Sequence, residues 1–488
     1  MSNSGQNDHL QDHGFANSFR AWVDPDPDPG PFLRSGLIVL DANALLHLYR
    51  VTAVAREQIF TTLKSVDERL WIPHQAATEF YKNRLDVVAA KMSQFREARA
   101  ILSQANTRAV AEIRKSINRL IEFRQYNMTD RKWEPQEYGL DDSSIFVRLD
   151  GLMVPALTEL QALQDEHDIG PGDVRSEDPV LKQLEKITKG KLGRPYSQQR
   201  LMRIVKEAIE FRFPNEIPPG YKDADKKSAH RAAGDYILWR QLLDHVAREP
   251  RPDRVALVTN DVKADWWVLD KKGDPASARP EMRQELFECT GAELRLLTLS
   301  DFLEAAADQF PGSVSDDTVR AVRRSEVMVR IEEMLNQLRG ADGHADGGPK
   351  TKPDLLTLPV VMFEQLVRVL FIAMGYEDVV SAPANRNVGY DILARHPHSN
   401  RDDGRTVIEV KLYARVVGAE HVRQLLGSMR AENAEYGVLV TSSRFGPTAQ
   451  ALAAANNIQL IDGAQLLNLL SEFLEIDAAI GLSGDQGE

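Results

Sequence analysis

Near the C-terminus of this 488-residue chain, Asp391 is followed eighteen residues later by Glu409-Val410-Lys411. The pair of charges lies inside Thr406-Val407-Ile408-Glu409-Val410-Lys411-Leu412. Alternation along a strand puts Ile408, Val410 and Leu412 on one face and Glu409 with Lys411 on the other, solvent-open side. With Asp391 on a neighbouring strand, two carboxylates are placed to hold a hard divalent cation through oxygen, usually Mg²⁺ with several waters retained. Lys411 then stands beside the attacking water. Such a set suits phosphodiester hydrolysis, where a metal neutralises developing charge and generates the nucleophile while a fixed cation steadies the pentacovalent oxygens. Taken alone, Glu409 and Lys411 read equally well as a solvated pair on an edge strand.

A second group of acids lies toward the other end. Leu37-Ile38-Val39-Leu40 is a short apolar run ending at Asp41-Ala42-Asn43, which predicts a buried parallel strand with Asp41 at its carboxyl end, where open α/β sheets place ligands. Trp71-Ile72-Pro73-His74 leads into a helix with Glu79, another helix carries Asp235, and the strand Val255 to Thr259 ends at Asn260-Asp261 with Asp265 one turn on. Any single acid ahead of a helix is ordinarily a cap. Four or five converging on strand ends and helix starts repel one another, which favours a bound cation or a raised pKa. Asp223 and Asp265 rank second, because each serves equally well to order a loop. Asn43 and Asn260 read as hydrogen-bonding support, and His47 and His74 as structural, since no histidine pair has zinc-site spacing.

The elements that must position these groups follow from periodicity. Phe363, Leu366, Val367, Leu370, Phe371 and Met374 recur at helical spacing and stop at Gly375. Two strands, a helix, the strand Gly437 to Thr441, a helix around Ala449 to Ala453, the strand Ile458 to Ile461 and a last helix come after. In the first half, Leu85, Val88, Met92, Phe95, Leu102, Ala109, Ile113, Ile117 and Leu120 mark a helix too long for a compact core. It is expected to fold back against Leu152 to Leu163 after a polar loop, Tyr126 to Ser143. That stripe either packs within its own hairpin or serves as an arm for a homo-oligomer or a substrate, with Lys186, Lys189, Lys191 and Arg194 available to phosphates.

The fold class is α/β, with a parallel sheet and a long helical insertion followed by a second α/β domain. Residues 1–30 end in Asp24-Pro25-Asp26-Pro27-Asp28-Pro29-Gly30 and are expected to be a disordered, extended segment without means of packing. The first domain is set at 31–310, with the insertion at about 85–210; a helix bearing Val327, Ile331, Met334, Leu335 and Leu338 and a flexible linker fill 311–353. The second domain is set at 354–475 and a tail at 476–488.

Residues 358 to 470 resemble the Mrr-like type IV restriction endonucleases of the PD-(D/E)xK superfamily, through Phe363-Glu364, Met374-Gly375-Tyr376, Gly389-Tyr390-Asp391, Glu409-Val410-Lys411, Val440-Thr441-Ser442 and Leu460-Ile461-Asp462-Gly463. The resemblance implies metal-dependent DNA cleavage with Asp391 and Glu409 as ligands, Lys411 as the catalytic lysine and Glu364 as a helper. Many relatives carry Gln at the Glu409 position, and Tyr390 replaces their acyclic residue; neither difference removes a ligand. The first half resembles the PIN-like family in its large bacterial form with a helical insertion. That match rests on Leu40 to Arg50, Leu70 to Gln75, Glu79-Phe80, Gly193 to Ser197, Pro218 to Asp223, Gly234 to Trp239 and Val258 to Asp261 with Asp265-Trp266-Trp267. It implies an Mg²⁺- or Mn²⁺-dependent nuclease, often acting on RNA, with Asp41, Glu79, Asp235 and Asp261 as metal-binding acids.

Composition narrows the rest. A single cysteine, Cys289, excludes an internal disulfide framework and suits a reducing compartment. No apolar run reaches membrane-spanning length and the N-terminus is not a signal, so a soluble cytoplasmic protein with no membrane partner is expected. The net charge of −12 argues against non-specific adhesion to nucleic acid. No Gly-rich phosphate loop appears, so any ATP-driven step needs a separate ATPase partner. Together these point to a metal-dependent nuclease acting on DNA, with RNA or single strands at the first site, in defence against foreign nucleic acid. Two alternatives stay open: the first half as a binding or assembly module, and a ribonuclease toxin governed by a DNA-sensing C-terminal domain.

Overall fold

The computed structural model describes residues 19–126, 133–226, 228–248, 252–269, 275–340, 352–358, 360–382, 389–396, 404–474 and 476–481, without the side chains of 331, 332 and 334–340. The chain divides into two compact units, Met1–Val268 with Ser277–Ser325, and Leu269–Ala276 with Glu326–Glu488. Among the described residues, no helix is long and apolar enough to cross a membrane.

The first unit is built on four parallel strands. These are β1 (Leu37–Leu40), β2 (Leu70–Trp71), β3 (Arg254–Val258) and β6 (Glu293–Leu297), in the order β2-β1-β3-β6. Two short strands, β4 (Trp267–Leu269) and β5 (Pro275–Ala278), form a separate ribbon. Ile38, Val39, Ala256 and Leu257 are fully buried, as expected of strands covered on both faces. The register Leu40↔Val258 brings the carboxyl ends of β1 and β3 side by side, and the Asp41 amide extends that ladder by donating to the Val258 carbonyl at 3.0 Å. One sheet edge therefore receives both the Asp41 turn and the Thr259–Asp261 turn.

The insertion begins with one long helix, His74–Tyr126, of 53 residues and about 80 Å at 1.5 Å per residue. A return helix, Asp142–Glu166, packs against it. Val110 and Ile145 are buried in the pair, Arg99 Nη2 donates to Gln161 Oε1 at 2.7 Å, and Arg114 forms an ion pair with Asp142. Leu102, Ala109 and Ile117 of the apolar stripe are half-buried. Ile113 and Leu120 are exposed instead, because a single return helix covers only part of a wide apolar face. Residues 127–132 of the connecting loop lie outside the described residues.

The Asp-Pro run departs from the expectation of an unpacked segment. Arg20–Val23 is helical with Ala21 buried, and Asp28 caps the helix Pro29–Ser35 by accepting from the Gly30 amide. Asp26 pairs with Arg295, and Arg283 Nη1 donates to the Ala21 and Asp24 carbonyls at 3.2 Å each. Partners remote in sequence thus hold a stretch that has no packing face of its own. Residues 1–18 lie outside the described residues, as do 341–351 of the expected linker.

The second unit has five strands, β7 (Glu377–Ser381), β8 (Ile392–Arg395), β9 (Arg405–Lys411), β10 (Tyr436–Thr441) and β11 (Ile458–Ile461), in the order β11-β10-β9-β8-β7. β10 runs parallel to β9 and β11, whereas β8 is antiparallel to both β7 and β9. β7 was not expected from the sequence; its Glu-Asp start masks a short strand whose burial is confined to Val379. Two apolar cores lie on opposite faces of the sheet, one with Ile408 and Val410, the other with Val407, Leu425 and Leu439. The alternation of β9 holds, but its second face is covered by the helix Ala419–Ala431 rather than open to solvent. Ile476 and Ala478 join the first core, and the Leu355 amide donates to the Ala479 carbonyl at 2.8 Å. The start of the expected tail is therefore packed, while residues 482–488 lie outside the described residues.

Leu257 stands on β3 between β1 and β6 and is fully buried. Leu257→Ala is expected to cost about 2–5 kcal/mol, read as a lower urea midpoint by circular dichroism; an unchanged midpoint contradicts this placement at the centre of the sheet.

Candidate active sites

In the first unit, four acids and a lysine share one electrostatic neighbourhood. Asp41 caps the helix Ala42–Leu46 by accepting from the Ala42 amide at 2.6 Å, and its other oxygen accepts from Thr259 Oγ1 at 2.8 Å. Glu79 stands in the second turn of the long helix and accepts from Gln75 Nε2 at 2.5 Å. Asp235 lies in the first turn of the helix Gly234–Val246 and accepts from Trp266 Nε1 at 3.1 Å. Gly234 makes this assembly fit: a Cβ there would stand 2.9 Å from Glu79 Oε1. Asp261 follows β3, its amide donating to Thr259 Oγ1 at 3.1 Å, and its carboxylate meets Lys263 Nζ at 2.8 Å. The same ammonium lies 3.2 Å from both oxygens of Asp223.

Burial and mutual repulsion raise these carboxylates. Asp41 is pushed up to about 6 by burial and by Glu79, against the Thr259 and Ala42 hydrogen bonds. Glu79 is also raised, through burial and Asp235. Burial, then Asp261, take Asp235 to about 8, and Asp261 rises to about 6 by burial although Lys263 opposes it. Burial works against the Lys263 charge, yet Asp261 and Asp235 outweigh it and hold the ammonium protonated above its ordinary range. Asp265 behaves differently. It is fully buried, and Oδ2 accepts from the Gly220 and Lys222 amides at 3.0 and 3.1 Å, so it ties down the loop before the helix at Asp235. Asn260 Oδ1 accepts from the Leu299 amide at 2.8 Å, and His47 is buried and neutral, lowered to about 3 by desolvation. Thr259 and Lys263 escape a reading that counts acids; the signal available was their place one residue before and two after Asn260-Asp261.

In the second unit, Asp391 immediately precedes β8 rather than lying within a strand. Its amide donates to the Ile408 carbonyl at 2.9 Å and its Oδ2 accepts from the Val410 amide at 2.7 Å, which locks it against β9. Glu409, in the middle of the sheet, is 1% exposed. Lys411 Nζ lies 2.9 Å from Glu409 Oε1 as an ion pair, and both carboxylate oxygens are buried without a hydrogen-bond partner. Burial raises Glu409, with Asp391 reinforcing and Lys411 opposing; burial works against Lys411, but Glu409 and Asp391 raise it overall. His421 was not foreseen. Its Nδ1 is 3.8 Å from Glu409 Oε1, and burial and Lys411 lower its pKa. It sits in the first turn of an ordinary amphipathic helix, where no spacing singles it out. Glu364 is half-buried on the helix Val360–Ala373, whose apolar face forms core.

Both donor sets suit a hard cation in chemistry: oxygen ligands with raised pKa in one unit and a buried carboxylate with both oxygens unsatisfied in the other. Among the described residues no group of three or more acidic, histidine or cysteine side chains stands close enough together to hold a metal ion as placed. Thr259, Gln75, Trp266 and the two lysines hold the carboxylates through hydrogen bonds and ion pairs.

These are two α/β units, each gathering acids and a lysine at strand ends. The family model for a PIN-like domain matches residues 37–282, half of the chain, and the chain belongs to that family. A second model, described as restriction endonuclease, matches residues 355–470, so the second unit carries that domain. Among solved structures, the DNA modification-dependent restriction endonuclease AspBHI is similar at 18% identity and a TM-score of 0.20, over 31% of this chain and 36% of that one. The chain thus spans about a third of that structure's length. No curated protein matches.

Asp235 ionises near pH 4 when unfolded but at about 8 when folded. Below pH ~4 it is protonated in both states; as pH rises from ~4 to ~8 only the unfolded chain loses the proton, so stability falls, and above ~8 the penalty is constant. In EDTA, Asp235→Asn is expected to match wild type at pH 4 and to exceed it by about 5 kcal/mol at pH 8.5. Parallel stability curves for the two proteins, measured by denaturant titration, would contradict this.

Proposed function

We propose that the protein is a divalent-metal-dependent nuclease with two hydrolytic sites, in which the second unit cuts DNA and the first cuts RNA or single strands. Its PIN-like and restriction endonuclease domains support a nuclease, and the latter supports DNA as substrate. The observation that carries the reading is Glu409, a central-strand carboxylate 1% exposed, with both oxygens lacking a hydrogen-bond partner and Lys411 Nζ 2.9 Å from one of them as its ion-pair partner. A buried charge without full compensation is costly and marks a functional position.

A bound Mg²⁺ or Mn²⁺ would neutralise phosphate charge and lower the pKa of an attacking water. Asp391 and Glu409 would hold it in the second unit, and Asp41, Glu79, Asp235 and Asp261 in the first. Asp391 is pre-positioned by the Val410 amide, so little side-chain freedom is lost on binding. Lys411 supplies a fixed positive charge beside the reacting phosphate, and Lys263 is placed to do the same among the acids of the first unit. Thr259 orients Asp41 and, through its hydroxyl, the Asp261 turn. Fusion of two nuclease domains favours a role in degrading foreign nucleic acid, with the tether raising the concentration of one site near the other's substrate.

Plasmid DNA, methylated DNA, single-stranded DNA and structured RNA, incubated with Mg²⁺ or Mn²⁺, test this reading. Lys411→Ala is expected to lower DNA cutting by roughly a hundredfold or more and to spare RNA, while Asp41→Asn does the reverse. If Asp41→Asn leaves every cleavage intact, the first unit is a binding module. A folded wild type that cuts nothing with either metal defeats the proposal.

A further inference from the structure

The first unit also contains a cavity of about 410 Å³ whose lining includes Ser197, Arg200, Arg203, Glu207 and Arg240. Its size falls within the range of ligand sites, and its charges do not balance. Glu207 accepts the Tyr236 hydroxyl at 2.6 Å. Asp244, beside the cavity, accepts Tyr196 and pairs with Arg200, while Arg240 reaches it only at 3.7 Å. Arg203 is exposed and makes no ion pair among the described residues. Three guanidinium groups thus face two carboxylates already engaged by tyrosines, within a chain whose net charge is −12. Ser197 adds a capped helix start, Gln198–Glu207, whose amide end favours an anion in the same place. A planar guanidinium fork fits the oxygens of a phosphate better than any other common anion of nucleic acid.

Position decides which phosphate. Arg240 and Asp235 share the helix Gly234–Val246, five residues apart, which places them about 7.5 Å apart along its axis and roughly 140° around it. Asp235 of the acid group and Arg240 of the cavity thus occupy different sides of one helix, with Arg200 and Arg203 brought beside Arg240 by the helix Gln198–Glu207. We propose that this cavity grips the phosphodiester backbone of the substrate strand a short distance from the carboxylates of the first unit. Such contacts fix register and carry no base preference. The inference rests on the nuclease reading for its purpose, but strand binding is measurable without cleavage.

The test is fluorescence anisotropy of a labelled twelve-nucleotide single strand, as RNA and as DNA, titrated with the full chain in EDTA at several salt concentrations. Arg203→Gln is expected to weaken binding several-fold and to reduce the slope of log K against log salt by about 0.7, and Arg203→Gln with Arg200→Gln and Arg240→Gln by about 2. Because Arg203 is exposed, the single variant folds as wild type does, and Arg203→Lys should restore much of the binding. Unchanged affinity and slope in the triple variant, with its circular dichroism intact, overturn the proposal. If that happens while Asp41→Asn still abolishes RNA cutting, the inference fails and the nuclease reading stands. If the arginines govern binding but wild type never cleaves, strand binding stands and hydrolysis in this unit falls. Should adenosine monophosphate bind with the same Arg203 dependence and resist displacement by the strand, the cavity is a nucleotide site and the strand assignment fails.

Discussion

Burying carboxylates close together is the constraint to which both units answer. A charged group removed from water must find compensation, or it shifts its pKa until it is neutral. Both units place a lysine against a buried acid for this purpose, Lys263 at 2.8 Å from Asp261 and Lys411 at 2.9 Å from Glu409. The sheets that deliver them are unrelated, one wholly parallel and the other mixed. What they share is a strand end or central strand that carries an acid into the interior, with an ammonium two residues further along the chain.

Compensation is incomplete in each case, and the shortfall differs in form. In the first unit it is spread over several acids whose pKa values rise together, so their charge states are properties of the group rather than of one residue. In the second it is concentrated in the single carboxylate of Glu409, both of whose oxygens are buried without a hydrogen-bond partner. The first arrangement tolerates a change in cation position because several ligands share the load. The second fixes position tightly, since Asp391 is clamped by a backbone amide and Glu409 is immobilised in the sheet.

Much of this was legible from residues alone. The apolar run Leu37–Leu40 followed by Asp41 gave a parallel strand with an acid at its end, because a strand buried on both faces leaves little else to read. The alternation of β9 likewise placed Ile408 and Val410 together. What it did not show was that Glu409 is covered, because local pattern reports which face a side chain takes but not which distant helix lies over it. The Asp-Pro run failed for the same reason, since Arg283 and Arg295 are more than 250 residues away in sequence. Lys263 and His421 acquire much of their meaning from partners brought in by tertiary structure, Asp223 for the one and Glu409 for the other.

Glu79 belongs to the same unbroken helix that extends to Tyr126. Forty-seven residues separate the two, about 70 Å along the axis, so a tilt of one degree about the base moves the far end by roughly 1.2 Å. Read in reverse, the helix is a lever with a carboxylate at its short end. Whatever clamps the long end sets the angle at which Glu79 meets Asp41 and Asp235, and sub-ångström adjustment at the acids corresponds to displacements of several ångström at the tip.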